Sequence, residues 1–191
     1  MRLTKEKAEQ NRRLILDTAS RLFRTRGIGN VAVADVMKES GFTHGGFYNH
    51  FKSKEELVTE VLACSFKNAA KYLSEKIAAA TDPQKGLTSS LSEYLSPAHR
   101  DTCDGGCPAS ALPVDSARNG QEVQAAFAEG VEAYLDIFAA HINGDKKEAR
   151  QRAIALLSGM VGAMLISRAV KKGQPKLSDE LLSAARRRFR K

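Results

Sequence analysis

Two consecutive glycines, Gly45 and Gly46, stand where their neighbours call for a helix, and they limit what this chain can build more than any other feature. Upstream, Val33, Val36 and Met37 fall three and four apart, the spacing of one apolar helix face. Gly41 ends that helix, because a glycine just past the last turn takes the left-handed conformation that other residues resist. Thr43 is a plausible N-cap for a second helix from His44 to about Phe51. On it, Phe47 and Phe51 share one face and pack inward, which turns His44, Gly45, Tyr48 and Asn49 outward. Each glycine costs a helix roughly 1 kcal/mol relative to alanine. That cost is accounted for if another body must approach the backbone closely, as DNA approaches the second helix of a helix-turn-helix pair.

The run Phe42-Thr43-His44-Gly45-Gly46-Phe47-Tyr48-Asn49-His50-Phe51-Lys52-Ser53-Lys54-Glu55-Glu56-Leu57 resembles the end of the DNA-binding domain of TetR-family transcriptional regulators. The shared pattern is a small residue, Gly, an apolar residue and Tyr, then His-Phe, Ser or Thr, Lys-Glu and Leu. The resemblance covers roughly the first third of the chain and implies an operator-DNA partner. It implies that Thr43, Tyr48, His50 and Lys54 hold phosphates and that His44, Gly45 and Gly46 face bases, with Asn49 beside them. Between Gly27 and Val33 the family usually has Thr or Ser as a cap and phosphate contact. Val31 and Ala32 stand there instead, so no contact is carried over to Ala32, and the missing hydroxyl cap costs about 1 kcal/mol.

Charge agrees with a polyanionic partner. The 191 residues carry a formal +8, and residues 1–54 hold 11 Lys/Arg against 5 Asp/Glu, so most of the excess lies in the first part of the chain. The charged N-terminus lacks the pattern of a targeting signal, and the uncharged run 153–167 is shorter than the roughly 20 residues a bilayer span needs. These features predict a cytoplasmic protein without a membrane partner, and three cysteines argue against a secreted disulfide framework.

Taken in order, residues 1–13, with Arg2, Lys5, Lys7, Arg12 and Arg13, read as a flexible basic arm running into a first helix that Gly27 closes. Ser53 and Glu56 form a capping box, so a long helix starts at Lys54 and runs to about Ala80. Lys54, beside that N-terminus, is placed to hold a phosphate. This sets the expected division: a helix-turn-helix domain over 1–53 and a helical effector-binding and dimerisation domain over 54–191. A helix over 86–96 follows, then a break from Pro97 to Pro108. The spacing of His99, Cys103 and Cys107 there allows a redox or electrophile-sensing thiol pair, a metal site short of ligands, or cysteines that merely pack. The Gly-Cys-Pro element also resembles a subset of the same family, where it begins a helix over the ligand pocket.

A short helix over 109–118, disturbed by Pro113, leads to one from Gln121 to about Ile142. Phe66, Leu91, Tyr94, Phe127 and Tyr134 are candidates to line a cavity for a small apolar or aromatic effector, or simply to form core. The stretch from Ala149 to Val170 is apolar nearly all round. Ser178 reads as the cap of a last helix, with Leu177 and Leu182 as its staple. Leu156, Met160, Val161, Met164, Leu181 and Ala185 are then the candidates for a four-helix interface between two copies. The terminal Arg186-Arg187-Arg188-Phe189-Arg190-Lys191 reads as a solvated helix end.

The expectation is an all-α protein: a three-helix N-terminal domain on a helical bundle, homodimeric, with double-stranded operator DNA and an unknown small-molecule effector as partners and no cofactor or metal. Its expected role is a repressor that the effector releases. One rival keeps the DNA-binding head and senses oxidants at Cys103 and Cys107. The other, a thiol-dependent enzyme pairing His99 with a cysteine, lacks a third orienting group, and no enzymatic activity is expected.

Overall fold

The computed structural model describes residues 5–189, which form ten α-helices and one 3-10 helix. The first helix, α1 (Lys5–Arg26), buries Ile15, Thr18, Ala19, Leu22 and Phe23, a stripe at helical spacing, and ends where Gly27 turns to a φ of 81°. The basic arm expected over 1–13 is therefore already helix from Lys5 onward, and Arg2 lies outside the described residues. Arg12 is engaged within the chain: its guanidinium pairs with Glu60 and lies 4.6 Å from the centre of the Phe51 ring.

Helix α2 (Val33–Glu39) buries Val36 and Met37, and Gly41 ends it at a φ of 80°. Ala32 has no hydroxyl to accept the first amides of this helix, and only the reciprocal half of a capping box forms, in which the Asp35 carboxylate accepts the Ala32 amide at 2.9 Å. The next element, His44–Asn49, is a 3-10 helix rather than the expected α-helix, and the Thr43 side chain makes no capping hydrogen bond. The tighter winding suits a two-glycine segment of barely two turns.

Helix α3 (Lys54–Ala78) begins as the capping box predicts: Ser53 Oγ accepts the Glu56 amide at 3.0 Å. The Glu56 carboxylate reaches back to the amide of Lys52, one residue earlier than in the usual box. This helix runs through the molecule, packing on α1 at its start and on α8 (Gln121–Ala139) along its length. The α3–α8 contact is close because α8 presents Gly130 to Phe66; a Cβ built there would sit 2.1 Å from Phe66 Cγ.

Between them run α4 (Pro83–Tyr94) and three short helices, α5 (Pro97–Asp101), α6 (Pro108–Ala111) and α7 (Pro113–Ala117). The break expected over 97–108 thus contains a helical turn, and Pro113 splits the expected 109–118 helix in two. Helix α9 (Lys146–Val170) packs against α8 and α10 (Pro175–Phe189). It is long and apolar enough to pass for a membrane span, yet Leu156, Leu157, Met160 and Met164 are buried in the body's core.

Two expectations for the last helices are corrected. Ser178 is no cap: α10 starts at Pro175, and the buried Ser178 hydroxyl accepts from Arg100 Nη1 at 2.7 Å and donates to the Ser167 carbonyl at 2.8 Å. Leu156, Met160 and Met164 turn into the chain's own core, which removes them as an outward interface. Val161, Leu181 and Ala185 stay half-buried. What α9 exposes lies a step round the helix, at Ile154 (44%) and Ile166 (53%). Arg190 and Lys191 lie outside the described residues.

Gly130→Ala separates helix propensity from packing. On an open helix the change is favourable by about 1 kcal/mol; against Phe66 it should destabilise by about 1–3 kcal/mol, read as a lower urea midpoint with an unchanged slope.

Candidate nucleic-acid interface and cavity

The outward edge of the 3-10 helix is bare. Phe47 and Phe51 are buried and stacked, their ring centres 5.5 Å apart, which fixes the segment on α1 and α2. Thr43, His44, Gly45, Tyr48 and Asn49 are consequently exposed, with Tyr48 at 67%. A Cβ at Gly45 would meet nothing within 4 Å, and one at Gly46 only Thr43 Oγ1 at 3.5 Å and Met37 Cε at 3.8 Å. Neither glycine has a positive φ. Nothing among the described residues therefore requires glycine at either position.

Two of the expected phosphate ligands sit differently from their neighbours. Lys54 Nζ donates to the Ile28 carbonyl at 2.7 Å, and burial lowers its pKa. It ties α3 to the loop after α1 instead of facing outward. His50 is half-buried, and burial with the nearby Arg12 charge lowers its pKa, so the ring is neutral at pH 7. Lys38 on α2 and Lys52 just after the 3-10 helix are exposed cations that the sequence reading had not singled out.

A cavity of about 620 Å³ lies between the amino-terminal helices and the body. Leu91, Tyr94 and Tyr134 line it as expected; Phe66 and Phe127 do not. Phe66 is buried and meets Phe127 edge-on at 5.2 Å, behind Tyr134, so the two phenylalanines support the wall. The wall also includes Leu16, Ser20 and Arg24 of α1, residues that no sequence pattern had connected with an effector.

Cys107 also lines the cavity, with its Sγ 3.3 Å from Tyr134 Oη. Burial pushes its thiol up, so Cys107 is a protonated, poor nucleophile at neutral pH. All three cysteines are free. His99 is held by its own backbone surroundings: Nδ1 donates to the Tyr94 carbonyl at 2.8 Å, and Nε2 accepts the Cys107 amide at 3.3 Å. That fixes one neutral tautomer and gives the ring a positioning role in the cavity wall. Among the described residues, no group of three or more His, Cys, Asp or Glu side chains is placed to hold a metal ion.

A helix-turn-helix head with a bare second helix, on a helical body that encloses a cavity, defines a class of DNA-binding regulators. Residues 15–61 match the family described as bacterial regulatory proteins, tetR family. Over 67 residues the chain is 39% identical to the HTH-type transcriptional regulator AcrR of Shigella flexneri, covering 35% of this chain and 31% of that protein. It thus matches only about a third of the length of that relative. Against the HTH-type transcriptional regulator LmrA of Bacillus subtilis it is 28% identical over 87% of this chain and 91% of the relative. The fold is similar to that of reduced NemR from E. coli, with a TM-score of 0.79 and 18% identity over 94% of each chain. Residues 15–61 are thus similar to the tetR family of bacterial regulatory proteins, and the rest of the chain shares the all-helical fold of such regulators.

The His99 geometry gives a pH dependence. Burial lowers the ring's pKa, the Tyr94 carbonyl opposes this and the Arg168 charge adds to it, so the unfolded chain binds its proton first, near the ordinary value of 6.5. Stability is therefore full above that value and falls as pH drops through the lower folded pKa. Denaturation between roughly pH 7 and 5 should show this fall, and His99→Gln should flatten it.

Proposed function

We propose that this protein is a homodimeric, DNA-binding transcriptional repressor that a small molecule in the cavity releases from its operator. One observation carries the DNA-binding half: Gly45 and Tyr48 are exposed with Gly46 half-buried between them, an edge whose composition nothing among the described residues explains. A major groove explains it, since glycines admit the backbone and an exposed tyrosine hydroxyl reaches phosphate. In this reading His44, Gly45, Gly46 and Asn49 face bases, and Thr43 and Tyr48 hold the backbone. Lys52 and Lys38 supply the phosphate charge expected of Lys54. His50, neutral and half-buried, contributes hydrogen bonding without charge.

The unit carrying this edge comprises residues 1–53, and residues 54–191 form the effector and dimerisation unit. The uncovered side of α9, with Ile154, Gly162 and Ile166, supports pairing of two copies. Twofold pairing would present two edges to successive major grooves about 34 Å apart. Repression ends when a ligand favours a conformation whose edges no longer match that spacing. The relatives are transcriptional regulators, and no catalytic step is proposed.

Selection of duplexes from a random DNA pool, followed by anisotropy titrations over a range of salt, tests the reading. An enriched, near-palindromic duplex is expected. Gly45→Leu should fold normally yet bind it about tenfold more weakly or worse. Lys52→Ala should reduce the salt slope by about one, whereas Lys54→Ala should mainly lower the melting temperature. Failure to enrich any duplex, or wild-type affinity in Gly45→Leu, overturns the proposal.

A further inference from the structure

The cavity contains a cation, Arg24, that forms no ion pair among the described residues. Arg24 enters from α1, and its Nη1 donates to the Asp104 backbone carbonyl at 3.2 Å. Its Nε is shielded from solvent and has no hydrogen-bond partner among the described residues. Cys107 and Tyr134 beside it are neutral at pH 7, and the acidic group that acts on it is Asp104, whose carboxylate accepts the Gly105 amide at 2.9 Å. Burial outweighs that carboxylate and lowers the pKa of Arg24, the sign of a guanidinium whose charge is only partly compensated.

Of the other charges along the wall, Lys76 pairs with Glu93, which also accepts from the Tyr72 hydroxyl at 3.3 Å. Asp17, two turns earlier on the same face of α1, is exposed and also lines the cavity, so an anion seats at the Arg24 end. The buried Tyr94 hydroxyl, with the Ser110 hydroxyl beside it, is a second polar atom in the wall of the same cavity. Opposite these polar atoms the wall is apolar, with Leu91, Phe138, Leu157 and Met160.

We propose that the cavity takes an amphipathic organic anion, its apolar or aromatic body against Leu91, Phe138 and Met160 and its acidic group on the Nε edge of Arg24. The inference rests on the reading of this cavity as the effector site and adds the chemical class of the effector. With Nη1 held by a backbone carbonyl, the guanidinium presents one free edge, suited to two oxygens of a carboxylate or sulfonate. The apolar wall supplies binding area, and the anion relieves the charge.

Arg24 also gives the ligand a route to the DNA-binding edge. Arg21 and Arg26, on the same turns of α1, both pair with Glu39 of α2, the helix on which the bare edge rests. An anion drawn to Arg24 therefore acts on the part of α1 that holds α2, and affinity for the anion and posture of the head become linked.

Two fluorescent probes with the same aromatic body separate charge from shape: 8-anilino-1-naphthalenesulfonate, an anion, and N-phenyl-1-naphthylamine, its neutral counterpart. Titrations use wild type, Arg24→Gln and Ala69→Trp, the last filling the cavity from α3, with circular dichroism to check folding. The anionic probe should bind wild type more tightly than the neutral one, and Ala69→Trp should lose both. Arg24→Gln should weaken the anion about tenfold and leave the neutral probe within about twofold. Equal affinity of wild type for the two probes, or an unchanged anion affinity in Arg24→Gln, overturns the proposal and leaves the effector cavity standing. Binding of neither probe, or full binding of both to Ala69→Trp, removes the effector cavity and the proposal together. If Arg24→Gln does not fold, the contrast between the probes on wild type decides.

Discussion

One backbone unit, Ile28, joins the head of this molecule to its body. Its amide donates to Asp115 Oδ1 of α7 at 2.8 Å, and its carbonyl accepts from Lys54 Nζ of α3 at 2.7 Å. Both bonds include an ionised partner, the class whose net contribution is about 1.5–3 kcal/mol each. The preceding Gly27 makes the approach possible, because a Cβ there would lie 3.1 Å from the same carboxylate oxygen and its φ of 81° disfavours any side chain. A charged residue of the body thus holds the loop that closes α1, and α1 carries the helix-turn-helix. The bare edge is thereby set at a defined attitude to α3 and the body, as the proposed reading of two spaced grooves requires.

The same junction explains why the cavity is not a property of the body alone. α1 contributes Leu16, Ser20 and Arg24 to its wall, and α3, α4, α6, α8 and α9 supply most of the rest. Anything that fills it touches both sides of the joint that Ile28 makes. Under the proposed function, head and body share one free-energy balance, and a ligand in the cavity needs no long relay to affect the head.

Local spacing accounts for what was legible in the sequence. The helix faces of Val36 and Met37 and of Phe47 and Phe51, the turn at Gly41 and the Ser53–Glu56 cap are written within a few residues of one another. They were read from their spacing, and the helices fall close to where periodicity places them. The misreadings share the opposite feature. Arg12 read as part of a flexible basic arm, whereas Phe51 and Glu60, about 40 and 50 positions away, hold it within the fold. Ser178 looked like a cap because the buried Arg100 and Ser167 that occupy its hydroxyl are distant in sequence. Phe66 and Leu156 were apolar and in plausible places, but periodicity assigns a face without saying what that face meets. Arg24 was invisible for the same reason: a basic residue near a helix end is ordinary until the fold shows what surrounds it.

Hydrogen–deuterium exchange at the Ile28 amide tests the joint most directly. In wild type this amide should be protected although it lies in a loop between two helices, and in Asp115→Ala it should exchange at least about tenfold faster while Leu135, in the core of α8, keeps its protection. An unprotected Ile28 amide in wild type, or a rate indifferent to the loss of the Asp115 carboxylate, would contradict the account.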